Sequence, residues 1–496
     1  MKTVYSLIRQ NILLATSITI LLLCSLFILF FTDYFYQLID FGSLWIREYF
    51  GAFYLWLGLI SVFFLIGIAL SRFGKIRLGP SKPEFSRLGW IAMLYSAGMG
   101  AGILLRAVQE PVFMFINPPL QTTDPCEIIA LEYTFYQWGF TAWAFYGIFA
   151  LLIAYSLFVA KNKIKLGHSL PQLKSVKLLP QGVDLLTILT TVFGLVAAIG
   201  LGTTQIEGGL SHLTSTSPGN LWLTIALVLL ICALAFFSAY AGVEKGIKRI
   251  STWNIFITLL LLFFVFFQID ISVSLERFGI SLYQYIIDFI PLSLAMGTYN
   301  PGKEFLTDWT YYYWAFWLAW APFTGIFIAR ISKGRTIREM ILGVLLIPSL
   351  GSFFWFSVFG SASFDLINQG TAFNEEFDNV FTSIFRFFEF LPFSDLTNIV
   401  AVLLLVSFLV TSVDSAIFVL SMFSDKGKEN PKRKFRLIWA VIILIFSEAI
   451  IVLGNVRPDS DVLTAMQKLL IISSLPFAFF TAGIMVLFLR ELFKKH

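Results

Sequence analysis

Long apolar runs recur along almost the whole chain, and they decide its structural class. The runs cover residues 12–31, 53–71, 87–116, 129–160, 182–210, 219–240, 251–270, 309–331, 341–364, 397–423, 437–455 and 466–490. A helix that crosses a bilayer needs about 20 mostly apolar residues. The pattern therefore predicts an all-α membrane protein with 12 transmembrane helices. A shorter amphipathic stretch near 281–294 is typical of a helix that lies along the membrane surface.

The basic residues support this count and predict the orientation. Of the 496 residues, 58% are hydrophobic and only 13% are charged. If the N-terminus is inside, 28 of the 35 Lys and Arg residues fall in inner segments, as the positive-inside rule requires. We therefore expect both termini to be cytoplasmic, in the inner (cytoplasmic) membrane of the cell. The net charge of +5 then reflects topology and does not indicate nucleic-acid binding. The basic inner loops are suited to contact anionic lipid.

Groups that could do chemistry are sparse inside the apolar runs. The three cysteines are far apart, at Cys24, Cys126 and Cys232, and no histidine lies within a run. The sequence therefore predicts no disulfide framework, metal cluster, cofactor site or histidine proton relay. A membrane-embedded enzyme would need such a cluster, and a sensor would need an output domain. Transport of a solute is favoured over both.

The third run contains a glycine-rich segment that predicts a broken helix. Gly98, Gly100 and Gly102 alternate near its middle, and each weakens a helix by about 1 kcal/mol relative to alanine. Irregular backbone at that depth is tolerated where it lines a cavity or is buried in protein. Secondary transporters form binding sites at such breaks. Close packing of helices through small residues is the competing interpretation.

Two runs carry tryptophans deeper than an interfacial belt would. In the fourth run, two tryptophans and a tyrosine project over one half of the helix: Trp138, Trp143 and Tyr146. In the eighth run, three tryptophans recur every three residues as one stripe: Trp314, Trp317 and Trp320. Aromatic faces around a cavity hold quaternary ammonium groups, at about 0.5–2 kcal/mol per ring. Simple aromatic packing is the alternative.

The tenth run offers hydroxyl ligands for a small cation. Thr411 and Ser412 are adjacent within it. Together with carbonyl groups freed by a broken helix, these hydroxyls would form a set of hard oxygen ligands. The alternative is that they bond to their own helix backbone, as hydroxyls in membrane helices often do.

Together these segments resemble the betaine/choline/carnitine transporter family. The most specific stretch runs from Asp308 to Glu339 and contains WAFWLAWAPF and IARISKGRTIRE; GMGAG in the third run and TSVDS in the tenth also match. The resemblance implies the amino-acid-transporter (LeuT-like) fold, a homotrimer and alternating access. It implies two peripheral helices in residues 1–86, inverted five-helix repeats in 87–270 and 309–496, and a surface segment in 271–308.

The resemblance also implies a substrate site. Its aromatic box would consist of Trp138, Trp143, Tyr146 and Trp317, with Trp314 and Trp320 along the route nearby. Phe316 replaces a family tryptophan and keeps a ring without the indole N–H. The glycine break would add the residues Met99 and Gly100.

A sodium site is implied between the third and tenth spans. Its ligands would be the carbonyls of Ser96, Met99 and Phe408 and the hydroxyls of Thr411 and Ser412. Sodium-independent members have an arginine where this chain has Asn254, which favours sodium coupling. A second sodium site would use Thr191 and Phe323, but Leu195 replaces one of its hydroxyl residues.

Three charged residues within or at the ends of spans need an explanation. Arg106 lies within the third run, where a charge costs at least about 2.5–3.5 kcal/mol. It could pair with Glu110 one helical turn on, or clamp the anionic end of a zwitterionic substrate. Arg330 and Asp414 lie near inner ends of spans and form a candidate cytoplasmic gate, or else are two separate residues at headgroup level.

The combined prediction is a secondary transporter that imports a small zwitterion, betaine- or carnitine-like, by sodium symport. Sodium is the expected coupling ion, and no other cofactor is expected. The alternative within the same fold is a sodium-independent exchanger or proton-coupled importer of choline-type, carnitine-type, sulfonium or sulfonate solutes.

Overall fold

The computed structural model is helical throughout the part of the chain that it describes. This part comprises residues 11–80, 82–98, 100–161, 166–169, 179–241, 244–425, 428, 430–455 and 461–495. It contains no β-strand, only an isolated bridge between Arg77 and Thr336. Of the residues singled out above, Met99 lies outside the described residues, as does the side chain of Ser96.

The helices follow the apolar runs in chain order. They are α1 (Ile12–Phe30), α2 (Thr32–Leu70), α3 (Arg87–Gly98), α4 (Ala101–Arg106), α5 (Gln109–Ile116), α6 (Cys126–Trp138), α7 (Phe140–Ala154), α8 (Leu179–Leu213), α9 (Leu221–Ala241), α10 (Glu244–Phe266), α11 (Ile271–Ile287), α12 (Phe289–Leu294), α13 (Tyr311–Ile331), α14 (Ile337–Asn368), α15 (Ser383–Glu389), α16 (Ser394–Ser424), α17 (Arg433–Gly454) and α18 (Val462–Lys495). A short helix (Lys303–Phe305) and a π-helical turn (Leu306–Thr310) lead directly into α13.

The number of spans is close to the prediction but does not reach it. Within the described residues, ten helical segments are long and apolar enough to cross a membrane, and a pair bent by 111° (Ile250–Phe266 and Ile271–Ile287) makes up to eleven. The third apolar run is not among them because it is divided into α3, α4 and α5. An all-helical, multi-pass architecture is confirmed, whereas the count of 12 stays a prediction.

Two helices begin well before the apolar or amphipathic stretches that predicted them. Helix α2 begins at Thr32, 39 residues in all, although its apolar run begins only near residue 53. The additional residues at the start of α2 include charged side chains that form ion pairs with later segments of the chain. Asp40 pairs with Lys468 at 2.7 Å, and Arg47 pairs with Asp308 at 3.5 Å. Helix α11 likewise begins at Ile271, ten residues before the predicted amphipathic stretch. The Asp270 carboxylate caps it by accepting two backbone N–H groups.

The fourth and eighth spans form the centre of the molecule. In the most apolar window of Cys126–Val159, 83% of the residues are buried, compared with 28% for Ile12–Phe30. Helices α7 and α13 pack directly against each other, because Gly325 of α13 lacks a Cβ that would lie 2.7 Å from the Cβ of Phe149. A site built on these helices is therefore screened from lipid by the surrounding spans.

Candidate functional site

The third span is interrupted where its glycine spacing predicts. Helix α3 ends at Gly98 and α4 begins at Ala101, and Gly100 between them is extended, with φ −142° and ψ −173°. No described heavy atom lies within 4 Å of a Cβ built on Gly100, so this residue borders open space. A Cβ on Gly102 would lie 3.5 Å from the Trp138 ring. The break therefore lies beside one of the proposed box residues.

The structure brings the four rings of the proposed aromatic box together. Trp138 contacts Trp317 with ring centroids 5.0 Å apart, Trp317 contacts Tyr146 at 6.1 Å, and Tyr146 contacts Trp143 at 5.2 Å. All three contacts are edge-to-face, the geometry that aromatic pairs favour over face-to-face stacking. The arrangement is suited to a cation, and its use for binding one stays a prediction.

Of the other two tryptophans proposed on α13, only Trp320 joins the cluster, through Phe316. Phe316 contacts Trp317 at 5.2 Å and Trp320 at 6.4 Å. Trp314 instead contacts Tyr136 at 5.1 Å, outside the cluster. Each three-residue step rotates a side chain by about 60° around the helix, so the rings of the predicted stripe do not all contact the same neighbours. Trp314 therefore has no ring contact that supports a place along the substrate route.

Sequence reasoning missed the part that Glu110 plays in this cluster. Its carboxylate is fully buried and accepts hydrogen bonds from Trp138 Nε1, at 3.1 and 3.2 Å, and from the Tyr313 hydroxyl. The Tyr313 ring also contacts Trp138 and Trp317, each at 5.7 Å. The signal was available, since an ionisable residue within an apolar run is a functional candidate by default.

Arg106 does not form the predicted ion pair with Glu110. Its Nη1 donates to Gln109 Oε1 at 2.6 Å, and no nitrogen of its guanidinium lies within 4.0 Å of the Glu110 carboxylate. The reason is local: α4 ends at Arg106 and α5 begins only at Gln109, so the geometry of an uninterrupted helical turn is lost.

The position of Arg106 also bears on the clamp hypothesis. The guanidinium carbon lies 4.9 Å from the centroid of the Trp309 ring. Trp309 precedes Trp317 by eight residues of nearly continuous helix, which is about 12 Å along the axis. The contacts of Arg106 in this conformation are with Trp309 and Gln109, which are not residues of the proposed box. The clamp stays a prediction for another conformation.

The candidate sodium ligands of the tenth span lie on one uninterrupted helix. Helices α4 and α16 pack against each other, so the third and tenth spans do meet. The Thr411 hydroxyl donates to the carbonyls of Ser407 and Phe408, both at 3.0 Å, and Ser412 follows it. The side-chain amide oxygen of Asn254 (Oδ1) accepts a hydrogen bond from the Ser407 hydroxyl at 2.7 Å. These ligand assignments stay predictions.

The candidates for a second sodium site lie on two helices in contact. Thr191 is on α8 and Phe323 on α13, and a Cβ on Gly194 of α8 would lie 3.1 Å from Ala319 Cβ. The Thr191 hydroxyl donates to the Thr187 carbonyl at 2.7 Å. The hydroxyl is therefore engaged with its own backbone in this conformation.

The candidate gate residues are not paired with each other. Arg330 is exposed, whereas Asp414 is buried, and no ion pair joins them. The charged group that acts on the Asp414 carboxylate is Arg436, and Ser238 lies beside it. The gate pairing therefore stays a prediction for another conformation.

The fourth span contains a second break that sequence reasoning missed. Helix α6 ends at Trp138 and α7 begins at Phe140, with Gly139 between them at φ −97° and ψ −135°. A Cβ on Gly139 would lie 2.5 Å from the Phe135 carbonyl oxygen and 2.6 Å from the Phe353 ring. The site therefore lies where two broken helices meet α13.

Comparison with known proteins decides the family. A profile of betaine/carnitine/choline family transporters matches residues 12–496. The chain belongs to this family. It is accordingly a multi-pass membrane protein of a transporter family and not an enzyme.

Several relatives match over most of their length. A glycine betaine transporter of Bacillus subtilis, OpuD, is 36% identical over 442 residues, which are 87% of this chain and 85% of that protein. An ectoine/hydroxyectoine transporter of Virgibacillus pantothenticus is 34% identical, covering 90% of this chain and 89% of that protein. A high-affinity choline transport protein of Escherichia coli is 33% identical, covering 94% of this chain and 69% of that protein.

Proposed function

We propose that this protein imports a small zwitterionic solute with a quaternary ammonium group, betaine- or carnitine-like, by sodium symport. The observation that carries the proposal is the contiguous cluster of Trp138, Trp317, Tyr146 and Trp143 where two broken helices meet. A glycine betaine and a choline transporter are among the relatives, and both solutes carry a quaternary ammonium. The rings would bind this cation through their faces, and its anionic end would lie outside the box.

The wider architecture belongs to the same proposal. Twelve spans result if the divided third run and the bent pair each count as one span. Two inverted repeats, residues 87–270 and 309–496, would then alternate in exposing the site to either side of the inner membrane. The protein would act as a homotrimer with both termini cytoplasmic, and the basic inner loops would contact anionic lipid.

Sodium would bind between the third and tenth spans. The groups available to it are the carbonyls of Ser96, Met99 and Phe408 and the hydroxyls of Thr411 and Ser412. A hard oxygen set of this kind suits a small cation. Sodium held there would order the broken segment next to Trp138, so that ion and solute favour each other's binding.

A second candidate is a sodium-independent exchanger or proton-coupled importer of choline-, carnitine-, sulfonium- or sulfonate-type solutes. It is favoured by Leu195, which offers no side-chain oxygen at the second site.

The proposal is tested by uptake of labelled glycine betaine into proteoliposomes. An inward sodium gradient is compared with equal potassium and with an inward proton gradient. Trp143→Leu is expected to raise the KM about 2- to 30-fold through loss of one cation–π contact. Trp222→Leu is the matched control, because Trp222 is 78% exposed on α9. An unchanged KM in Trp143→Leu would remove the box assignment, and uptake driven equally without sodium would select the second candidate.

A further inference from the structure

The helix that joins the two halves of the chain inserts one aromatic side chain, that of Tyr285, fully into the core. Helix α11 is held against α14 and α6 by Arg277, which forms ion pairs with Asp365 at 2.9 Å and Glu127 at 3.9 Å. Its outer face is apolar and exposed, as at Tyr283. Tyr285 points the opposite way and is fully buried.

The hydroxyl of Tyr285 binds the backbone at the break of the fourth span. The Phe140 N–H donates to the Tyr285 hydroxyl oxygen at 2.9 Å. In an uninterrupted helix this N–H would donate to the carbonyl of Tyr136, four residues earlier. An unpaired N–H inside a membrane protein costs several kcal/mol, so the hydroxyl replaces the helical bond that the break removes.

The fit around this hydroxyl is close. A Cβ on Gly139 would lie 2.7 Å from the hydroxyl oxygen, so only glycine at this position lets the tyrosine approach. The Tyr285 ring is fixed by contacts with Phe140, at 5.2 Å, Phe353, at 5.2 Å, and Phe289, at 5.6 Å. The ring therefore has little freedom to withdraw while α11 stays in place.

The break separates two rings of the aromatic box. Trp138 is the last residue of α6, and Trp143 is in the first turn of α7, where its N–H donates to the Gly139 carbonyl at 3.2 Å. The non-helical backbone at Gly139 therefore sets how these two rings face each other. If Phe140 bonded to Tyr136 instead, α6 and α7 would form one uninterrupted helix and the ring arrangement would change.

We propose that Tyr285 is a positioning residue of the substrate site: its hydroxyl holds the fourth span in its broken form and thereby fixes Trp138 relative to Trp143. The inference rests on the proposed function, because it takes this box to be the binding site. It gives the helix between the two halves a direct role in solute affinity, although no part of α11 reaches the box itself.

The test compares Tyr285→Phe with Tyr283→Phe. Each variant loses one hydroxyl from α11, but Tyr283 is 63% exposed. Glycine betaine binding to purified protein in lipid nanodiscs is followed by tryptophan fluorescence, and uptake kinetics and the unliganded melting temperature are measured in parallel. Tyr285→Phe is expected to raise Kd and KM at least about fivefold, the effect of leaving one buried donor unpaired. Its maximal rate is expected to stay within about twofold, and Tyr283→Phe to match the wild type.

The outcomes separate the inference from the proposed function. If the wild type binds no glycine betaine or related quaternary ammonium solute, the proposed function fails and the inference fails with it. If the wild type binds and Tyr285→Phe binds equally well, only the inference is overturned. It is also overturned if the variant loses melting temperature and maximal rate at unchanged KM, since the hydroxyl would then be merely structural. If Tyr285→Phe does not accumulate, Tyr285 is replaced by 3,5-difluorotyrosine, whose hydroxyl oxygen is a weaker hydrogen-bond acceptor. This variant is expected to raise the KM by a smaller factor, and an unchanged KM would count against the inference.

Discussion

Three buried tryptophans offer a graded test of what stabilises the site, because their indole N–H groups have different partners. Trp138 donates to the carboxylate of Glu110. Trp317 donates to the neutral carbonyl of Gln137 at 3.0 Å. The N–H of Trp314 has no hydrogen-bond partner among the described residues. Substitution of each by phenylalanine keeps an aromatic ring and removes one N–H.

The expected magnitudes follow from the partner of each N–H group. The three side chains are at most 7% exposed, so trimming indole to phenyl costs each of them a similar packing term. Beyond that shared cost, a hydrogen bond to a charged group contributes about 1.5–3 kcal/mol and a neutral one about 0.5–1.5 kcal/mol. At a pH where Glu110 is ionised, Trp138→Phe is therefore expected to lower the free energy of unfolding by about 1–1.5 kcal/mol more than Trp317→Phe. Trp314→Phe loses no hydrogen bond and is expected to be the mildest.

The assay is reversible denaturant unfolding of purified protein in mixed micelles, followed by circular dichroism, with uptake kinetics on the same variants. The KM for glycine betaine is expected to rise in Trp138→Phe and Trp317→Phe and to stay unchanged in Trp314→Phe, whose ring lies outside the box. If Trp314→Phe lowers the free energy of unfolding as much as Trp138→Phe, the hydrogen bonds do not determine the order and the reasoning is refuted.

Three other substitutions test separate features of the structure. Gly139→Ala places a Cβ 2.5 Å from the Phe135 carbonyl oxygen and is expected to abolish accumulation of the protein or its uptake of glycine betaine. Gly67→Ala is the control: its Cβ meets no described atom within 4 Å, so protein level and uptake are expected to stay unchanged. Arg106→Gln is expected to change the KM for glycine betaine and choline by the same factor, because the guanidinium contacts Trp309 and Gln109 and no residue of the proposed box. A selective loss of glycine betaine uptake would instead support a clamp. Arg277→Met removes both ion pairs of Arg277 and is expected to lower the melting temperature by a few degrees at low salt. The decrease is expected to be smaller at high salt, because salt screens ion pairs that are partly exposed to solvent.

Local properties of the sequence predicted the helices and one of the two breaks. Hydropathy predicted each apolar segment because burial in lipid or protein is imposed residue by residue along a span. The break beside Gly100 was predicted because three nearby glycines weaken any helix, whatever surrounds them. The break at Gly139 was not, since one glycine is tolerated in many membrane helices. It depends on Tyr285, 145 residues after Phe140 in the chain.

Some features of the candidate site could likewise be predicted from the sequence and others could not. The tryptophans of the fourth and eighth spans were identified from their depth and from the resemblance, and the rings of Trp138 and Trp317 do meet. The arrangement of polar groups could not be predicted, because it depends on contacts between distant helices. Helical spacing made Glu110 one candidate partner of Arg106. The helix is interrupted after Arg106, and the Glu110 carboxylate instead accepts hydrogen bonds from Trp138 and Tyr313.

The hydrogen bonds of Glu110 constrain how the site can open. Its carboxylate, on α5, receives one donor from α6 through Trp138 and another from α13 through Tyr313. Any motion that separates α13 from α6 removes one of these donors from a fully buried carboxylate, at a cost of about 1.5–3 kcal/mol unless another donor replaces it. In the proposed transport cycle we expect water to supply the replacement donor, so that separation of the two helices and hydration of the box occur together. The aromatic rings and Glu110 would then act as one unit, with less water in the box while Glu110 is paired with Trp138 and Tyr313.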